Sequence, residues 1–135
     1  MKIATFNVNG ISSRLDRVLE WLAESKPDVA CLQELKSPDA KLPLDAIRNA
    51  GYGIVAQGQP SWNGVAILAR GGEPIETGRG VPGLEADPQS RYIEAVVNGV
   101  VILTASRIGA ALSRRTRFRR APQILLGTVF AGLAA

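Results

Sequence analysis

Histidine is absent from this chain of 135 residues, so chemistry that needs an imidazole base or ligand from the chain itself is excluded. Cysteine occurs once, at Cys31 within VACLQ. A disulfide framework is therefore ruled out, which fits a reducing compartment and gives the cytoplasm as the expected location. A lone thiol in an apolar run reads as a small buried hydrophobe. Long apolar runs are also missing. The longest, 124–135, has 12 residues and two glycines, against the roughly 20 that a membrane-spanning helix needs, so no membrane partner is expected. The opening MKIATFNVNG carries Lys2, but its apolar run is too short for a secretion signal. Acidic residues are missing from one region only. Residues 106–135 hold six arginines, no lysine and no acid, whereas 1–105 hold 10 Lys+Arg against 12 Asp+Glu. The formal charge of +4 thus belongs to the tail, and the body is slightly acidic.

With 46% apolar residues the chain can build a core, and its length suits one domain at most. MKIATFNVNG alternates as a strand ending in Asn-Gly. In the next stretch Leu15, Val18, Leu19 and Leu22 follow the i, i+3, i+4, i+7 spacing of an amphipathic helix, with Ser12 or Ser13 as cap and Pro27 beyond its end. DVACLQE (28–34) is a short apolar strand with polar residues at its C-terminal end. A short helix before Gly51 follows, then strands in GIVAQG and NGVAILAR. Residues 71–90 are rich in Gly, Pro and Asp and read as loop. RYIEAVVNGVVILTA holds two strands joined by Asn98-Gly99, a strong hairpin signal. The expected order β-α-β-α-β-β-β-β gives a mixed sheet in an α/β fold. The last clear strand ends near Ala105, and nothing in the sequence fixes a partner for ILLGTVFAGLAA.

In open α/β sheets, function gathers beyond the carboxyl ends of strands. Two such ends stand out. Asn7 and Asn9 point the same way if the strand alternation continues, and their carboxamides can ligate a hard cation or simply shape a turn. Glu34 closes VACLQE, where a parallel neighbour would set it beside Asn7 or leave it solvated. One carboxylate with one amide suits Mg²⁺, which takes few protein ligands and keeps several waters. Trp62 and Asn63 sit on a turn before a buried strand, where the indole either stacks on a base or packs. Arg91 opens RYIEAVV, facing a phosphate or pairing with Glu94.

The segments FNVNGI and PDVACLQELK, followed in order by AGYG, WNGVAILAR and GLEADPQSRYIEAVVNGVVI, are similar to the opening of the exonuclease III family within the endonuclease/exonuclease/phosphatase superfamily. The similarity covers about residues 1–105. It implies the N-terminal half of a four-layered α/β sandwich with mixed β-sheet, the C-terminal half being missing. It also implies a DNA-repair nuclease that hydrolyses phosphodiesters beside abasic sites and at 3′ ends of double-stranded DNA, usually as a monomer, with Mg²⁺ or Mn²⁺. By motif position Asn7 and Glu34 are the metal-binding residues, and Asn9, Ser12, Ser13, Trp62, Asn63 and Arg91 lie where relatives meet metal or DNA.

The departures matter equally. The family's later Tyr, Gly-Asp-x-Asn segment, late Asp and Ser-Asp-His ending have no counterpart here, so no catalytic residue is assigned. Weak or absent cation binding and no hydrolysis are expected, with one face of a lone sheet left bare. Residues 106–135 read as an out-of-frame tail, since a one-base slip turns a Leu-Pro-Asn codon run into Ser-Arg-Ile, the residues at 106–108. The alternatives are a non-catalytic DNA-binding module that uses these arginines on phosphates, and a nuclease completed by a partner chain.

Overall fold

A computed structural model describes residues 1–106 and the backbone of 129–133. Two four-stranded sheets lie face to face. The first has the order β1-β2-β4-β3, from Ile3–Asn7, Val29–Gln33, Val65–Arg70 and Tyr52–Gln57. β1 and β2 run parallel, and the other pairs are antiparallel. The second, wholly antiparallel, has the order β5-β6-β7-β8, from Ile75–Arg79, Tyr92–Val97, Val100–Ala105 and Val129–Leu133. The helices are α1 (Leu15–Ser25) and α2 (Leu44–Asn49).

Alternation divides the core into two. Ala30, Leu32, Ala66 and Leu68 face Val18 and Leu22 of α1 and Ile47 of α2. Val29, Cys31, Val65, Ile67 and Ala69 face the second sheet and meet Ile93, Ala95, Val97 and Ile102. Because both faces of β2 and β4 are covered, these strands read as continuous apolar runs. Burial pushes the Cys31 thiol up to about 12, so it is a packing atom and not a nucleophile.

The expectation of a single sheet with a bare face is overturned, because the chain already builds both sheets of the sandwich. The reason lies partly in 71–90, expected to be loop throughout. It supplies β5, whose pairing with β6 shifts register between Glu76 and Gly78, so its alternation is broken in the sequence as well. Three layers are present among the described residues: helices, sheet, sheet. The segment with no sequence-assigned partner supplies β8 on β7.

The Asn98-Gly99 hairpin forms as expected, with φ of 51° and 76°. The expected serine cap does not. The residue at the start of α1 is Arg14, without a side-chain cap, and Ser13 Oγ instead donates to Gly10 O at 3.3 Å. At the far end of β1, Asp28 accepts the Lys2 N–H at 2.6 Å and Arg70 Nη2 at 2.6 Å, which holds its carboxyl below the usual range. Tyr52 Oη donates to Pro27 O and fastens the end of α1 to β3.

Candidate functional site

The parallel pairing of β1 and β2 fixes the site. Asn7 lies opposite Gln33, and the two chains stay together past their strands: Val8 N–H donates to Gln33 O, Gly10 N–H to Glu34 O, and Ile11 N–H to Leu35 O. Glu34 therefore emerges one residue beyond the register partner of Asn7, as the parallel-neighbour reading required. Asn9 does not follow strand alternation. β1 ends at Asn7, whose Oδ1 accepts the Asn9 N–H at 3.1 Å, and Asn9 turns to φ 45°. Glu34 and Lys36 also hold positive φ, 55° and 50°. Three non-glycine residues in this region within two adjoining turns are the kind of stored strain that gathers at functional sites.

Lys36, which the sequence reading passed over, is the hub. Its Nζ donates to Asn9 Oδ1 at 2.5 Å, lies 3.5 Å from Glu34 Oε2, and stands 5.9 Å from the centroid of the Trp62 ring. Its backbone N–H donates to Asn63 O, and Leu35 N–H donates to Gly64 O, so the Trp62 turn is pinned to the Glu34 turn. Gly64 is required there. Its φ is 89°, and a Cβ would come within 2.8 Å of Leu35 Cβ. Trp62 is left 58% exposed above this joint.

Behind the turn is an amide cluster. Asn63 is only 6% exposed, and its Nδ2 donates to Gln89 Oε1, which also accepts Gln59 Nε2. Ser90 O accepts the Gly64 N–H, and Ser90 N–H donates to Gln59 Oε1. Asn63 thus braces the loop from inside in this state. Arg91 follows in the same strap and pairs with Asp87 at 3.3 Å, while the Glu94 carboxylate accepts the Thr77 and Tyr92 hydroxyls. Ser12 and Ser13 are exposed on the turn before α1, and Arg14 bridges Ser13 Oγ and Asn9 O. The structure therefore brings Asn7, Asn9, Glu34 and Trp62 to one rim, Ser13 beside it through Arg14, and Asn63 and Arg91 behind it. The arginines at 107–120 lie outside the described residues.

The Gln59, Gln89 and Ser90 contacts were not legible, because they join loops some 30 residues apart. Lys36 had one local signal, a charged residue just beyond a fully buried strand.

The donor set is one carboxylate and two carboxamides, all hard oxygen, which fits a hard divalent cation as part of a site. Among the described residues no cluster of three or more His, Cys, Asp or Glu exists to complete a cage. No helix among them is long and apolar enough to cross a membrane.

The model of the Endonuclease/Exonuclease/phosphatase family matches residues 4–127. This chain belongs to that family. Its relatives include an exodeoxyribonuclease III from Haemophilus influenzae, 37% identical over 70% of this chain and 35% of that protein. Another is the DNA repair nuclease APEX1 of Danio rerio, 30% identical over 78% of this chain and 35% of that protein. Among solved structures, the 3′-5′ exonuclease NExo from Neisseria meningitidis superposes with a TM-score of 0.75 at 36% identity, covering 91% of this chain and 48% of that one. An AP endonuclease from Archaeoglobus fulgidus gives 0.68 at 42% identity over 73% and 38%. The family fold is thus present as a partial segment, and the chain spans about 35% of these curated relatives.

Proposed function

We propose that this chain supplies the cation-facing and DNA-facing part of a DNA-repair phosphodiesterase site of the exonuclease III kind, and that alone it binds DNA without cutting it. The observation that carries this reading is the convergence of Glu34, Asn7 and Asn9 at adjoining strand ends beneath an exposed Trp62.

Phosphodiester hydrolysis needs an activated water, stabilisation of charge at phosphorus, and help for the leaving alkoxide. Glu34 supplies the negative pole that attracts a hard cation, and the carboxamides of Asn7 and Asn9 add neutral oxygens that orient without adding charge. A bound Mg²⁺ or Mn²⁺ would supply Lewis-acid charge at a phosphate oxygen. Trp62 offers an indole face to an unstacked base, and its turn is held rigid by the bonds to Leu35 and Lys36. An imidazole base is not available from this chain. It has no histidine. Both tyrosines serve the scaffold, Tyr52 on Pro27 O and Tyr92 on Glu94.

The test is a labelled duplex carrying one abasic site, read by anisotropy for binding and by denaturing gel for nicking. Binding in the non-specific range, on the order of 10⁻⁴ to 10⁻⁶ M and weakened by salt, is expected. It should weaken further in Trp62→Ala, with no nick in Mg²⁺. Absence of binding sinks the reading. Mg²⁺-dependent nicking that disappears in Glu34→Gln also sinks it, because the site would then be complete as it stands.

A further inference from the structure

Three electron-rich groups surround the Lys36 ammonium. Asn9 Oδ1 accepts from it at 2.5 Å, Glu34 Oε2 lies 3.5 Å away, and the Trp62 ring centroid lies 5.9 Å away, within reach of a cation–π contact. The first two are oxygens of the proposed cation site. We infer that Lys36 is a built-in counter-cation for this site: its ammonium and a divalent ion compete for Glu34 and Asn9, and the face of Trp62 receives the ammonium when it is displaced.

Charge and geometry support this. One carboxylate cannot neutralise an ammonium and a divalent ion together, and cations held a few ångströms apart repel strongly where solvent is partly excluded. Here the Glu34 and Lys36 side chains are 12% and 25% exposed. The Lys36 backbone is anchored, because its N–H is held by Asn63 O. Moving the four-carbon stem is the less costly response, and it would pivot between the Asn9–Glu34 oxygens and an indole face that is already close. A lysine serves here where an arginine fork would not pivot as easily, because an ammonium is a compact point charge with rotatable donors. The pair also sets a compensating cation beside the Glu34 carboxylate, whose side chain is mostly buried.

The inference rests on the reading that the site takes a divalent cation, but its test uses no DNA, so loss of DNA binding and loss of this competition are separate outcomes. Mn²⁺ binding is measured by electron paramagnetic resonance on the full chain, on Lys36→Met, which keeps the stem and removes the charge, and on Lys36→Arg, which keeps the charge. In a Trp21→Phe background Trp62 is the only indole, since the chain has two tryptophans, and its emission is followed during Mg²⁺ titration. The expected result is Mn²⁺ affinity raised roughly tenfold or more in K36M, an affinity near the parent value in K36R, and a Mg²⁺-dependent change of Trp62 emission in the parent that K36M lacks. Mn²⁺ affinity in K36M no higher than in the parent overturns the competition, and that includes the case in which neither protein binds. Trp62 emission that stays constant while the parent saturates with cation overturns the role given to the indole.

Discussion

Gln33 links the candidate site to the sandwich core, and removing its amide should loosen both sheets at once. It is 1% exposed, it stands directly before Glu34, and its side chain leaves β2 toward the second sheet. Nε2 lies 2.8 Å from Thr104 Oγ1 on β7, 2.9 Å from Thr5 Oγ1 on β1 and 3.2 Å from Cys31 O. An amide nitrogen has two hydrogens, so three acceptors exceed what it can use at full strength. Thr104→Val therefore removes one acceptor and leaves two, at a cost near that of a single net hydrogen bond, about 1 kcal/mol. Gln33→Leu leaves the Thr104 hydroxyl, itself 0% exposed, beside an apolar group. That carries a desolvation penalty of about 1–3 kcal/mol, which lowers Tm by roughly 3–15 °C for a domain of this size. In the double variant the orphan is gone, so the costs should fail to add by about 1 kcal/mol or more in the favourable direction. Urea denaturation followed by far-UV circular dichroism on the four proteins gives the cycle. Costs that add within error would refute the bridge, since independent residues do not share a partner.

Other consequences can be measured separately. Gly64→Ala places a methyl 2.8 Å from Leu35 Cβ at a φ of 89°, so it should destabilise by more than about 1 kcal/mol and shift Trp62 emission; an unchanged melt would show that the joint between the two turns is slack. The Cys31 thiol, ordinarily near 9 and raised to about 12 by burial, favours the folded state while neutral. Its stabilisation is complete below pH 9 and is lost as pH rises from 9 toward 12, at up to ~1.4 kcal/mol per pH unit. Between pH 9 and 11 the parent should therefore lose stability more steeply than Cys31→Ala, and parallel slopes in denaturant titrations would contradict the burial argument. A chain ending at Ser106 lacks β8 and leaves β7 as a sheet edge. It should melt earlier and self-associate on sedimentation, whereas an unchanged melt and a monomer would show that β8 contributes nothing to the sandwich.

The elements with one dominant local signal were readable from sequence. The α1 stripe, the continuous apolar runs of β2 and β4, and the Asn98-Gly99 hairpin each follow from a single period or turn rule. β5 was not readable, since Ile75 is 67% exposed and a bulge follows Glu76, so IETGR has no apolar face to declare itself. With β5 missed, the second sheet was missed as well, and the bare face inferred from one sheet does not exist. The start of α1 failed for another reason. Two serines precede the helix, but Ser13 bonds back to Gly10 and Arg14 stands at the cap position without a side-chain cap.

The positions at strand ends were legible in the sequence, and those where loops meet were not. The nearness of the Asn7 and Glu34 backbones follows from parallel pairing, whereas their role came from the family resemblance. The joint carrying Trp62 depends on Leu35 and Lys36 meeting Asn63 and Gly64, and on Ser90 holding Gly64 from the other side, none of which has a period. The same bonds tie the Glu34 rim to the sandwich among the described residues. Its position depends on β1, β2 and β4, on the strap that follows β5, and on Gln33 reaching Thr104 across the sheet interface. Every one of those elements lies within residues 1–106.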